Sequence, residues 1–397
     1  MLDTPPLSTP SDIDFRRELS ALRRALHQIP ELGFAEHETS ALVQSWLTDR
    51  GFEIQGPLAG TGFYVDIAGT QPGPTVAYRA DMDALPVQEA TDAAYASCHP
   101  GRMHACGHDA HMTIACGVAV QARQRRDGMA GTLRVLFQPC EERTPSGAPL
   151  MIRDGVLDGV DAIYAIHVDP TLPVGRFGFR AGPITAACSP FLITVEGGQS
   201  GHSARPHEAV DTVWVATQIA AELYGLPGRV SDARQTAVLT VCRFQAGEAL
   251  NVVPARVELG GTLRCIDRAT LVGLRDAITR VAGGLGAVYG AQIDVAFDEV
   301  LPAVLNTEPE VVLAEATAQQ MFGGDAIVHL PLPSMGGEDF AYYLERIPGA
   351  MIRVGTASGA ETRFPLHHAR FDLDEAALPL AARLMAEVCR RRMDVHA

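Results

Sequence analysis

From Asp14 to Gln28, apolar residues Phe15, Leu19, Leu22 and Leu26 recur at helical spacing, and Pro30 stops the pattern. This predicts an amphipathic helix over 14–28. A second helix is predicted from Glu38 to Arg50, ended by Gly51. Four short runs then read as strands: Phe63–Ile67, Thr75–Arg79, Thr132–Phe137 and Ala162–Val168. Helical stretches fall between them at His111–Arg125 and Ala148–Arg153. Such alternation predicts an α/β layer around a parallel or mixed sheet. Leu133–Phe137 and Ala162–Ile166 are mostly apolar on both faces, as buried strands are.

From about Ala186 to Asp298 the pattern changes to strand, helix, two strands, helix, strand, the order of a ferredoxin-like unit. Signals like those of the first part resume from Pro309, with a strand at Met351–Thr356 and a C-terminal helix. The expected division is therefore a catalytic domain of 1–185 and 299–397 and an inserted domain of 186–298. The proline-rich first twelve residues are read as frayed.

Composition narrows the class. The chain has 397 residues, 47% hydrophobic and 20% charged, which suits a globular enzyme of two domains. A net charge of −15 disfavours nucleic acid and anionic membrane as partners. No apolar stretch is long enough to span a bilayer, and the N-terminal stretch lacks the basic and apolar regions of a secretory signal. The expected setting is the cytoplasm. Eight cysteines without a Cys-x-x-Cys pair argue against a disulfide framework or a zinc ribbon.

The chemistry concentrates in Met103–His111, which places one thiol, three imidazoles and a carboxylate in nine residues. Cys106 and His108, one glycine apart, can point at a single ion from a tight loop. Asp109 is suited to accept from an imidazole and fix its tautomer. Asp81 and Asp83, the doublet Glu141-Glu142, and His167 all fall at predicted strand ends, where open α/β sheets bind ligands. Such a mixture of soft and hard donors fits a catalytic metal site better than a structural clip. Metal-assisted hydrolysis needs an ion to acidify water and a carboxylate to take its proton. Glu141 is assigned as base and Glu142 as ligand, although spacing does not order them. His367 and His368 compete for one ligand position. A cysteine nucleophile at Cys106 is an alternative that leaves the acid pair and distant histidines unexplained.

Nine segments carry a wider resemblance: LRRALHQIPELGFAEHET, YRADMDALPVQE, MHACGHDAHM, FQPCEER, IHVDPTLPVG, GHSARPHEAVD, NVVPARVELGGTLR, GGEDFAYYL and LHHARF. In order and extent the chain resembles the M20 metallopeptidases, in the amidohydrolase branch that includes hippurate and auxin-conjugate hydrolases. The resemblance implies a di-metal catalytic domain interrupted by a ferredoxin-like lid that often mediates dimerisation. It implies Cys106, His108, Glu142, His167 and His367 as ligands of two divalent ions (zinc, manganese or cobalt), with Glu141 as general base. Its Leu-His-x-x-x-Phe motif selects His367 over His368. Asp83 would orient a ligand, and Asp81, where related branches carry histidine, is not expected to bind metal. His202 would stabilise the oxyanion in its own or a neighbouring subunit's site. Asn251 would contact substrate, with Arg264 a second candidate. The implied substrate is an N-acyl amino acid and the implied assembly a homodimer or homotetramer. Rival readings are a dipeptidase or carboxypeptidase with the same machinery, and a non-catalytic metal-binding protein. Two departures bear on substrate: Arg143-Thr144-Pro145-Ser146 replaces a glycine-rich continuation, and Thr212 stands where a proline usually follows Asp211.

Overall fold

The computed structural model describes residues 10–394. They form two compact units. One comprises the chain up to Ile184, Val304–Leu332 and the chain from Asp339; the other comprises Thr185–Ala303 and Pro333–Glu338.

The first unit is built on an eight-stranded mixed sheet. At its centre Gln71–Asp81 pairs in parallel with both Ala130–Gln138 and Val160–Pro173, and Val160–Pro173 pairs in parallel with Gly349–Ala357. Gly62–Ala68 joins antiparallel to Ala130–Gln138, and Gln55–Leu58 closes a hairpin onto it. Phe177–Phe179 and Ile327–His329, neither predicted as strands, extend the other side.

Alternation along the strands sends neighbours into two separate cores. Tyr164, Ile166 and Val168 belong to one cluster with the helices Pro10–His27, His108–Gln124 and Ala377–Asp394. Ile163 and Ala165 belong to the other with Gly147–Arg153 and Ala341–Leu344. Covering both faces explains why these strands are apolar throughout; each fully buried large apolar side chain contributes about 1.5–3 kcal/mol.

Several boundaries differ from the sequence expectation. Pro10–His27 begins within the twelve residues read as frayed, the first nine of which lie outside the described residues. The helix expected from His111 starts at His108, because Gly107 makes the turn with φ 84°. His167 does not close its strand, which runs on to Pro173.

The second unit is a four-stranded antiparallel sheet in the order Ala237–Gln245, Arg256–Cys265, Ala187–Glu196, Gln292–Phe297. Helices Thr212–Gly225 and Arg268–Tyr289 supply buried residues to its core, giving ferredoxin-like topology. Asp211 and Asp267 cap these helices by accepting from Trp214 N and Thr270 N. Thr212 therefore occupies the first helical position, where proline is tolerated, and its hydroxyl donates to Pro254 O at 2.6 Å. That departure from the family motif leaves the helix start intact. Segment 333–338, from the returning part of the chain, packs with this unit. No helix among the described residues is long and apolar enough to cross a membrane.

Candidate metal centre

The site is assembled at the carboxyl ends of the central parallel strands of the first unit. Asp81 ends its strand and pairs in register with Gln138, while Arg79 pairs with Ala165. Three residues past Gln138 comes Glu141. Asp83 then ties the loops together. Its Oδ1 accepts from Glu141 N at 2.9 Å and its Oδ2 from Glu142 N at 3.0 Å. Its backbone carbonyl accepts from His108 Nδ1 at 2.8 Å.

That last bond sets the tautomer of His108 and leaves Nε2 as the candidate ligand atom. Nε2 is buried without a hydrogen-bond partner, 3.7 Å from Asp81 Oδ2 and 3.8 Å from Glu142 Oε1. His167 is prepared in the same way: Nδ1 donates to Val168 O at 2.8 Å, and Nε2 lies 3.5 Å from Cys106 Sγ. Gly107 permits this approach, since a Cβ there would meet Val168 Cγ2 at 2.5 Å. His367 adopts φ 67°, and its amide donates to Ala105 O at 2.8 Å. Its Nε2 is 3.3 Å from Glu142 Oε1.

Two ligand triads result: Cys106 with His108 and His167, and Cys106 with Glu142 and His367. They share the Cys106 sulfur, and within each the ligand atoms lie within 4.8 Å of one another. All five residues expected as ligands are thus in one place. Glu141 joins His108 and Glu142 in a further group. His368 belongs to no such group among the described residues; its Nδ1 accepts from Arg370 N and its ring stacks on Phe364.

Asp81 and His111 also approach His108, but their atoms are engaged elsewhere. Asp81 Oδ2 accepts from Arg79 at 2.6 Å and Oδ1 from His111 Nδ1 at 2.6 Å. His111 Nε2 in turn accepts from Val168 N at 3.1 Å. His111 therefore braces the His167 strand against Asp81, a role that sequence reasoning missed. Arg79 extends the brace to Asp339 at 2.7 Å. Asp109 accepts from Arg23 at 2.8 Å and from His27 at 2.7 Å, behind the His108 turn. His104 is buried without a hydrogen-bond partner, and burial lowers its pKa to about 4.

The electrostatics call for cations. Burial would lower the His108 pKa, yet Asp81, Asp83 and Glu142 outweigh it and raise the value to about 10. Burial, then Glu142, Glu141 and Asp81, push the Cys106 thiol well up. Burial, then Arg353 and His111, hold His167 well down. Both shifts disfavour the thiolate–imidazolium pair that a cysteine nucleophile needs. Cys106, as a thiolate, and His108 Nε2, which is buried without a hydrogen-bond partner, would hold divalent ions that supply the missing positive charge. The residues present fit two such ions.

In the second unit, two-residue strands Gly201–His202 and Val252–Val253 pair antiparallel, with His202 opposite Val252. Ser203 N donates to Asn251 O at 3.1 Å, so His202 and Asn251 are neighbours on an exposed surface. His202 Nδ1 accepts from Ala204 N at 3.0 Å, which leaves Nε2 to carry the proton. Arg264 is half-buried and donates to Met335 O at 2.8 Å.

Known proteins resemble this chain over most of its length. The profile of Peptidase family M20/M25/M40 matches residues 77–391. An N-acetylcysteine deacetylase of Bacillus subtilis is 39% identical over 379 residues, 95% of this chain and 97% of that protein. A thermostable carboxypeptidase of Saccharolobus solfataricus is 36% identical over 365 residues, 91% of this chain and 92% of that protein. The crystal structure of Bacillus subtilis YXEP protein, described as a dinuclear metal binding peptidase, superposes with a TM-score of 0.84 at 37% identity, over 96% of this chain and 99% of that one. The chain belongs to peptidase family M20.

Proposed function

We propose that this protein is a metal-dependent amidohydrolase that cleaves the amide bond of N-acyl amino acids. The observation that carries the reading is the pair of ligand triads sharing Cys106, with Glu141 beside them and its amide, like that of Glu142, held by Asp83. Cys106, His108, Glu142, His167 and His367 would hold two divalent ions. Such ions, when bound, polarise an amide carbonyl and make water a nucleophile at neutral pH.

The protein's own groups do the rest. The Glu141 carboxylate takes the proton of the attacking water and returns it to the departing amine, so one group serves as base and then acid. His202 offers its Nε2–H to the developing oxyanion, a donor that gains strength as charge accumulates. Asn251 contacts the substrate carboxylate, with Arg264 as a second contact. Asp83 keeps the acid pair and His108 in register.

The deacetylase relative supports the N-acyl amino acid as substrate, and the carboxypeptidase relative supports short peptides as a second reading. Zinc, manganese and cobalt all suit the mixed donor set. A homodimer or homotetramer and a cytoplasmic setting complete the proposal; eight unpaired cysteines support a reducing compartment.

The test is amino acid release from N-acetyl, N-benzoyl and N-indoleacetyl amino acids and from simple dipeptides, after chelation and again after adding back manganese, zinc or cobalt. Release that vanishes with chelator, returns with metal and prefers acyl amino acids supports the proposal. Preference for dipeptides favours the peptidase reading, and activity indifferent to chelation contradicts both.

A further inference from the structure

The segment PELGFAEHET carries three carboxylates that the reaction does not use, and two of them, Glu31 and Glu36, are buried. Glu36 occupies the N-cap position of helix His37–Thr48, yet its side chain caps nothing in that helix. An N-cap side chain ordinarily accepts from the second or third amide of its own helix. Here Glu31 has that task instead, accepting from Thr39 N at 2.8 Å.

Glu36 is thereby released to reach across the fold, and it is completely buried. Its Oε1 accepts from Phe34 N at 2.9 Å and from Cys140 N at 2.9 Å, and its Oε2 from the Thr61 hydroxyl at 2.7 Å. Phe34 and Cys140 both hold positive φ, 64° and 52°, a conformation unusual for residues with side chains. A single oxygen therefore anchors the two bent turns at once. The Cys140 turn leads directly into Glu141 and Glu142, whose amides are held from the other side by Asp83. The two turns are in close contact, since a Cβ at Gly33 would lie 2.6 Å from Cys140 Sγ.

The same segment touches the other halves of the site. Glu31 O accepts from Ala84 N at 2.7 Å, one residue after Asp83, and just before the segment His27 bonds Asp109, one residue after His108. The geometry points to Glu36 as a positioning residue for the acid pair: its carboxylate, through the Cys140 amide, fixes the backbone turn that presents Glu141 to the water and Glu142 to the metal. This inference rests on the metal-dependent reading above. It needs hydrogen-bond acceptance at Oε1, and it does not need negative charge.

Two variants separate these features. Glu36→Gln keeps Oε1 as acceptor, while its amide can donate to Thr61, whose hydroxyl reverses role. Glu36→Asp keeps the charge but withdraws the oxygens from Cys140 N by one methylene. Turnover, cobalt(II) titration of the metal-free protein and thermal melting are measured for each. Glu36→Asp is expected to lose roughly 10- to 100-fold in kcat and in affinity for one cobalt ion, the scale for residues that orient a metal site. Its KM should stay within about threefold, and Glu36→Gln should match the parent within about threefold in every readout. Equal losses in both variants, or no loss in Glu36→Asp, would overturn the inference. So would a Glu36→Asp protein that fails to fold beside an intact Glu36→Gln, because Glu36 would then serve stability alone. Cobalt affinity is read without substrate. A parent protein inactive on every substrate but sensitive to Glu36→Asp in cobalt binding would therefore refute the proposed activity and leave the positioning role in place.

Discussion

Asp83 accepts from His108 through its backbone carbonyl and from the amides of Glu141 and Glu142 through its carboxylate. The two halves of the metal centre are thus fastened to one residue by independent atoms. Replacing Asp83 by Asn turns one acceptor into a donor facing an amide donor. It should lower kcat roughly 10- to 100-fold while leaving the His108 tautomer intact. Steady-state kinetics with metal titration checks this, and an unchanged kcat would remove Asp83 from the positioning of the acid pair.

His111 lies between the proposed ligands His108 and His167, with ring centroids 5.3 Å and 4.9 Å away. His111→Leu leaves Val168 N buried without its acceptor and removes one partner of Asp81. An unsatisfied buried group costs about 1–3 kcal/mol. Denaturant unfolding of the metal-free protein should show a loss at least of that order, and metal affinity should fall with it because the brace on the His167 strand is gone. Undiminished stability would show that Val168 N finds another acceptor.

The sequence made the candidate ligands legible because their chemistry is local: Cys106 and His108 share one short string, and the acid pair follows closely on an apolar strand. It left His367 and His368 equivalent until the family motif was invoked. The structure separates them physically, by the positive φ of His367 and its amide bond to Ala105. The braces were not legible, since they join residues far apart in the chain. His111 meets Asp81 across 30 positions, Cys140 meets Glu36 across 104, and Arg79 meets Asp339 across 260. Periodicity found the central strands but not the start at His108, which depends on the turn at Gly107. Nor could it assign 333–338 to the second unit, because that membership is decided by tertiary contact.

Glu387 gives the C-terminal helix a pH dependence. Hydrogen bonding to Arg390 outweighs burial and, with Arg391, lowers its pKa to about 2 from an ordinary 4.5. The folded value lies below the unfolded one, so this stabilisation is complete above about pH 4.5 and fades as pH falls towards 2. The melting-temperature gap between the parent and Glu387→Gln should therefore shrink over that window. A gap independent of pH would assign the effect to packing.

Cys106 is shared by both triads, so Cys106→Ala should lower the bound metal per chain, read by elemental analysis after dialysis. Full occupancy would take the sulfur out of the ligand set. If the thiol were instead the nucleophile, metal content would survive and turnover alone would vanish.

The most direct test of the proposed reaction is Glu141→Gln, with metal content and turnover measured on the same preparation. The variant retains size and hydrogen bonding but cannot take a proton. Two ions per chain are expected, as in the parent, with turnover reduced roughly 10²- to 10⁴-fold, the contribution of a general base. Turnover within tenfold of the parent, or loss of metal in step with activity, would contradict Glu141 as the proton acceptor.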